Sequence, residues 1–263
     1  MKTTVEPKAT KTTSKTGKEL SFKVKSPENF ISFLKKFKAI EKGLLLDITP
    51  DNLRAESHSP DRGIVKSSSI ALDSVLEGKV PVDLIKVGIF NISKVIDLFK
   101  HFEASEELYL QLTFEEIGGE NVGTSLKFVS PNLKFKIKCA GLDLFTYVSP
   151  AQFENIVKNI SDTKGMEFSF PKESFNKLNS LCSFDSGEER LQVSIRNGEI
   201  NFIGESFDYL LGATTETKSF DFSFYKNRFT SVDEENSNFL IGTDKLLINS
   251  VETNTQVIIG RVQ

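Results

Sequence analysis

Two histidines and two cysteines are the whole supply of imidazole and thiol in this 263-residue chain. Cys139 and Cys182 lie far apart with no CxxC or Cys/His cluster around them, so the pattern signals neither a disulfide framework nor a zinc site. Both read as small buried hydrophobes. His58 falls in the turn-rich stretch Glu56-Ser57-His58-Ser59-Pro60 and reads as a surface residue. His101 follows Lys100 at the end of a helical pattern, where it can meet a phosphate or simply face water. Asp47, Asp51 and Glu56 flank a tight turn, where aspartate is favoured for its own backbone hydrogen bonding, so turn chemistry accounts for them better than a metal does. GxxxxGK[ST], HExxH and GxSxG are all absent. No nucleophile, base and orienter can be assembled, and the sequence points to no catalytic residue, no metal and no cofactor.

The chemistry the sequence does offer is attraction of phosphate by lysine. Apolar residues at helical spacing leave Lys35, Lys36, Lys38 and Lys42 on the free faces of one segment. Lys94 and Lys100 lie on a second, Lys172 and Lys177 on a third, and Lys226 and Arg228 on a fourth. Residues 28–42, 92–102, 171–182 and 225–231 together hold ten Lys/Arg and four Asp/Glu, a balance of +6; the remaining 23 and 32 balance to −9. One basic helical face on an otherwise acidic protein is the expectation. Lysine is also an ordinary solvent-facing helix residue, so each position alone says little. A flexible ammonium meets phosphate as a point charge without reading bases, so contacts of this kind are sequence-independent and weakened by salt.

The elements that must carry these lysines repeat. Leu20–Val24 alternates as a strand; Ser26-Pro27-Glu28 then supplies a cap, a first-turn proline and an early acid before Phe30, Phe33, Leu34, Phe37 and Ile40 at helical spacing. After Gly43, strands are expected at Leu44–Thr49, Asn52–Ser57 and Ile64–Val75, with turn clusters between them. The series restarts with an apolar strand over 82–90, a helix holding Ile92, Val95, Ile96 and Phe99, and strands at Leu108–Phe114, Ser125–Val129 and Leu133–Cys139. After an irregular stretch with a short helix over Phe153–Ile160, Met166–Phe170 opens a third unit: a helix with Phe175, Leu178 and Leu181, strands at Leu191–Ile195 and Glu199–Ile203 around the hairpin signal Asn197-Gly198, and a strand at Tyr209–Thr214. Alternating Phe220, Phe222 and Phe224 open the fourth, followed by a short helix near Tyr225–Ser231 and strands at Phe239–Gly242, Leu246–Asn249 and Val257–Val262. The pattern defines an α+β protein of two similar domains, each a duplicated β-α-β-β-β unit with antiparallel sheets and helices on one face. Residues 1–19 are expected as a flexible basic tail, 20–141 as the N-terminal domain, 142–164 as a linker and 165–263 as the C-terminal domain.

Two stretches of the first half and two of the second carry a resemblance. Phe30-Ile-Ser-Phe-Leu-Lys-Lys-Phe-Lys-Ala-Ile-Glu-Lys-Gly-Leu-Leu-Leu runs from helix through glycine into a strand, and Val87-Gly-Ile-Phe-Asn-Ile-Ser-Lys-Val-Ile-Asp-Leu-Phe-Lys runs from strand into helix. Phe170-Pro-Lys-Glu-Ser-Phe-Asn-Lys-Leu is followed by Leu191-Gln-Val-Ser-Ile-Arg-Asn-Gly-Glu-Ile-Asn-Phe-Ile-Gly. In order and pattern, residues 20–263 resemble the DNA sliding clamps, ring-shaped polymerase processivity factors of DNA replication. The likeness is nearest to the T-even-phage type and more distant to proliferating-cell nuclear antigen. The resemblance implies a non-enzymatic protomer that assembles head to tail into a homotrimer, with its helices lining a hole around duplex DNA. The ten basic residues then line the channel. It also implies a DNA polymerase and a clamp loader as partners, whose short apolar-aromatic peptides would meet Leu144, Phe145, Tyr147 and Val148 with Val257 and Ile259. Subunit closure would use strands near Leu133–Cys139 and Tyr209–Thr214, because unpaired edges can pair between chains. The alternatives are a monomeric clamp-fold factor held by its basic face, or a virion structural ring protein. The longest unbroken apolar run is far short of a membrane span and the N-terminal stretch lacks a signal peptide's apolar centre, so the expected location is the cytoplasm, that of a host cell if the source is viral.

Overall fold

The computed structural model describes residues 17–103, 106–163, 165–185, 189–215, 219–229 and 231–262. Residues 1–16, the bulk of the expected basic tail, lie outside the described residues; Lys18 and Glu19 belong to the first strand.

The first half runs β1 (Lys18–Val24), α1 (Pro27–Lys35), β2 (Leu44–Ile48), β3 (Asn52–His58), β4 (Ile64–Ala71), α2 (Leu72–Val75), β5 (Leu76–Glu77), β6 (Ile85–Ile89), α3 (Ile92–Phe99), β7 (Tyr109–Ile117), β8 (Glu120–Val129) and β9 (Lys134–Lys138). α1 starts where the sequence placed it, because the Ser26 hydroxyl accepts from the Asn29 amide and Pro27 fills the first turn. The Asn91 side chain caps α3 in the same way through the Lys94 amide. The expected strand over 64–75 is divided, since α2 and β5 turn the chain after Ala71.

After a 3-10 turn at Leu142–Leu144, α4 (Pro150–Asp162) leads into β10 (Met166–Phe170), α5 (Lys172–Phe184), β11 (Arg190–Arg196), β12 (Glu199–Ile203), β13 (Asp208–Ala213), β14 (Phe220–Tyr225), α6 (Lys226–Phe229), β15 (Ser237–Ile241), β16 (Lys245–Ser250) and β17 (Asn254–Gly260). Asn197 and Gly198 take φ values of 53° and 78°, the left-handed pair that a two-residue hairpin needs.

Apart from the two-residue β5, which pairs with β1 and has no counterpart, the halves match in strand order. In each, the strand leading into the first helix pairs with a later hairpin: β1 with β7–β8–β9, and β10 with β15–β16–β17. A second group orders as β6-β2-β3-β4 in one half and β14-β11-β12-β13 in the other. Two joins break the simple plan. β6 pairs with β8 in parallel, against the expectation of antiparallel pairing throughout, which merges both groups of the first half into one sheet. β17 pairs with β4, with Val257 opposite Lys66 and Ile259 opposite Ile64, so this sheet runs on into the second half as 13 strands.

That register fixes the faces, since residues directly opposite share a side. Leu53, Ala55 and Leu46 enter the first core; Val257, Ile259, Leu246 and Ile248 enter the second, on the same side of the sheet. α1 and α3 close the first core through the Phe30 and Phe99 rings, 5.6 Å apart, and α5 and α6 close the second through the stacked rings of Phe175 and Phe229 at 5.1 Å. The opposite side is covered by α4, whose Phe153 and Ile160 pack with Leu240, Leu247 and Ile258. Burying side chains of this size contributes roughly 1.5–3 kcal/mol each, which converts the expected linker segment into a docked helix. A reciprocal capping box between Ser149 and Gln152 starts it.

Candidate nucleic-acid interface

A helix stands at each of the four expected places, but α1 ends at Lys35 with Lys36 as its cap, so Lys38 and Lys42 follow in a turn segment and not on the expected longer helix; the ten basic side chains divide into three groups. Lys35, Lys38, Lys42, Lys94 and Lys172 are exposed and, among the described residues, pair with no carboxylate. Lys100 and Lys177 are exposed but engaged: Lys100 lies 2.6 Å from Asp97, and Lys177 sits 4.8 Å from the centre of the Tyr209 ring. Lys36, Lys226 and Arg228 are directed inward.

Each inward residue has a partner far away in sequence. The Lys36 ammonium donates to Thr253, Thr255 and Glu235 at 2.8–3.0 Å and lies 3.4 Å from Asp233. Lys226 donates to the Asp185 carboxylate at 2.6 Å, and that bond leads the contacts holding the Asp185 carboxyl down at about 2. Arg228 donates to the Gly260 carbonyl and to Asp61, both at 2.8 Å. These three are structural ties, and the short helix α6 contributes no free cation. Lys66, which the sequence reading missed, is 1% exposed beneath the β4–β17 join and donates to Asp233 Oδ1 at 2.6 Å and the Ser231 carbonyl at 2.8 Å. Burial pushes its pKa down. Only its fully internal position in a strand between two apolar runs could have marked it.

α1 and α3 lie against each other, so Lys35, Lys38, Lys42 and Lys94 share one region, and Lys172 stands on the matching helix of the second half. Glu28, Asp97 and Glu173 are exposed on the same helices. The basic surface is therefore five free lysines with two engaged ones, a diluted field suited to loose attraction of a phosphate backbone.

The opposite face is polar at its centre. The Arg54 guanidinium bridges Asp47, at 3.0 Å, to Glu56. Glu56 also accepts from the Val148 amide at 2.8 Å, and His58 Nε2 lies 2.7 Å from its Oε1. His58 is thus a nearly enclosed partner and not a surface residue, and Asp47 and Glu56 are buried strand acids joined by arginine; Asp51 alone sits exposed in the turn. Tyr147 donates to Asp47 at 3.3 Å, under the Lys86 ammonium 4.4 Å from its ring, and burial first, then Asp47, pushes its hydroxyl up to about 12.

Of the residues expected to line a peptide site, Leu144 is 64% exposed, and Phe145 is partly covered where it lies on Gly43 and Gly88. Gly88 also meets the Ala140 carbonyl so closely that any Cβ there would collide with it. Val148 packs with the α4 cluster. Val257 and Ile259 are core residues at 2% and 0% exposure, and their side chains line no surface. The period-two alternation of β17 sends them inward and sends Ile258 to α4. Leu144 and Phe145 do border a small cavity of about 250 Å³ with Leu45, His58 and Pro60.

Cys139 and Cys182 are free thiols pushed up to about 12 and about 11 by burial, which leaves them unreactive near neutrality. No cluster of metal-ligating side chains occurs among the described residues, and no helix among them is long and apolar enough to cross a membrane.

Two matched α+β domains joined by a continuous sheet, with paired helices on one side, make the sliding-clamp fold. The solved structures that share it include proliferating cellular nuclear antigen from Entamoeba histolytica, with a TM-score of 0.66, 11% identity, and coverage of 93% of this chain and 99% of that one. The DNA polymerase III subunit beta from Pseudomonas aeruginosa aligns with a TM-score of 0.64 and 10% identity over 94% of this chain and 65% of its own. A. fulgidus PCNA bound to the C-terminal region of FEN-1 aligns with a TM-score of 0.62 and 10% identity over 93% of this chain and 98% of that one. No family model and no curated protein sequence matches the chain.

Proposed function

We propose that this chain is a DNA sliding clamp, a ring-forming processivity factor that encircles duplex DNA without sequence specificity and tethers a replicative polymerase. The observation that carries the reading is the pair of free strand edges left by the internal repeat. Within the chain, β17 pairs with β4. Their counterparts in the opposite halves are β9 and β13, and among the described residues each of these pairs on one side only. A second copy placed head to tail would join β9 to β13 as β17 joins β4, and repetition closes a ring. The edges are complementary in charge: Lys134, Lys136 and Lys138 alternate along β9, and Asp208 opens β13 beside the exposed Leu210.

Ring closure would retain DNA topologically, and the five free lysines would supply weak contacts that permit sliding. No catalysis is involved. Partner peptides would dock beside the linker at the cavity bordered by Leu144 and Phe145; Tyr147 and Val148 hold that linker in place. A polymerase and a clamp loader are the proposed partners, and the cytoplasm in which DNA is copied is the proposed location. Three copies, and a kinship with phage-type clamps, are the finer form of the proposal and rest on the sequence resemblance.

Light scattering behind size exclusion, at several concentrations and two salt levels, tests closure. A mass near three times 29.4 kDa supports the homotrimer. A strict monomer at every concentration that still binds DNA favours the open factor held by its basic face. Retention on circular but not linear DNA then separates topological from electrostatic holding.

A further inference from the structure

A cleft of about 880 Å³ opens on the α4 face where the two halves meet, bounded by β2–β4, Tyr147, the start of α4 and the β16–β17 turn. Its apolar lining is Leu84 at the β6 end and Pro150 and Phe153 at the start of α4; Asp47 and Arg54 lie on the strands between, and Glu154 is exposed beside Phe153. Asp47 is 5% exposed. Its Oδ2 accepts from Arg54 and Tyr147, while Oδ1 has no hydrogen-bond partner. A buried carboxylate oxygen left unpaired costs free energy, and a group of opposite charge supplied from outside would relieve it. The guanidinium of Arg54 does not serve, because it is already shared among Asp47, Glu56 and Ser67. The cleft therefore keeps an acidic excess beside the apolar Pro150 and Phe153.

We propose that this cleft is a docking site for a long cationic side chain, lysine or arginine, from a partner polypeptide. The aliphatic stem would lie along Pro150 and Phe153, with the charged head turned to Asp47 and Glu154. The site is separate from the small cavity at Leu144 and Phe145, and it does not depend on ring closure, so it can stand or fall apart from the clamp reading.

The test uses the full chain, with Nα-acetylarginine amide as probe and its neutral near-isostere Nα-acetylcitrulline amide as control, followed by NMR shifts of Tyr147, Phe153 and Glu154. The expected result is a saturable response to the arginine compound, at least about tenfold tighter than to citrulline. Asp47→Asn should abolish that difference, and Glu173→Gln, exposed on α5 away from the cleft, should preserve it. The proposal is overturned by no saturable response, in which case Oδ1 meets only a trapped water, or by equal response to both compounds. If Asp47→Asn does not fold, the comparison of the two compounds on the unaltered chain still decides. Replacing Lys2, Lys8, Lys11 and Lys15 by glutamine addresses a remaining occupant: shifts at the cleft without any probe would assign it to the chain's own basic segment and remove the claim of an outside partner.

Discussion

At the scale of single residues, the fate of a lysine is decided by what stands opposite it in space. Lys36 and Lys38 are two positions apart, yet one ends in a web of Thr253, Thr255 and Glu235 and the other in solvent. Nothing near Lys36 in the sequence announces carboxylates about 200 residues away, so its role was not legible; Lys35 and Lys94 were, because helix spacing turns them outward, whereas Lys38 and Lys42 are exposed in the turn segment that replaces the expected end of the helix. Lys66 and Asp233 form the most enclosed ion pair of the join. Removing one member of such a pair strands the other, so Asp233→Ala should lower unfolding stability by about 3–5 kcal/mol in urea titrations, and adding Lys66→Met should restore part of it. Asp61 gives a pH signature. The Ser59 hydroxyl, the Gly63 amide and Arg228 hold its carboxyl down at about 2. A depressed carboxyl stabilises the fold above its unfolded value of about 4 and loses that contribution as pH falls toward 2. Melting temperature measured across this interval should therefore fall less steeply in Asp61→Asn than in the unaltered chain, and parallel curves would show that Asp61 contributes nothing.

At the scale of elements, caps and periods were readable and neighbours were not. Ser26, Asn91 and the Asn197-Gly198 turn fixed their elements locally, which is why α1, α3 and the β11–β12 hairpin lie where the sequence put them. The parallel join of β6 to β8 left no local mark, since a strand edge does not encode its partner's direction. The alternation of β17 separates Val257 and Ile259 from Ile258, but which of the two faces is covered does not show in the strand itself; both are, by the second core and by α4. The free edges make the sharpest prediction at this scale. Lys134→Glu, Lys136→Glu and Lys138→Glu together should turn an assembling chain into a monomer by light scattering while leaving circular dichroism unchanged, because all three are exposed in the single chain. An added Asp208→Lys should recover assembly if the two edges meet.

At the scale of the whole molecule, the proposed clamp would hold DNA loosely through its free lysines. Replacing Lys35, Lys38, Lys42, Lys94 and Lys172 by glutamate should abolish stimulation of polymerase processivity and flatten the salt dependence of DNA association, with oligomer mass unaltered. Loss of the ring in the same variant would instead assign those lysines to assembly. The join between the halves is fastened on both sides of the sheet: Lys36 and Lys66 with Asp233 and Glu235 on the helical side, and Glu56 with the Val148 amide on the other. A plate glued along both surfaces of its seam resists bending either way, because one fastening is stretched whichever direction it flexes. The waist of the molecule is thus its stiffest line, and a load that spreads the chain is passed on to the outer strands, whose bonds can part and re-form while the angle between the halves is kept.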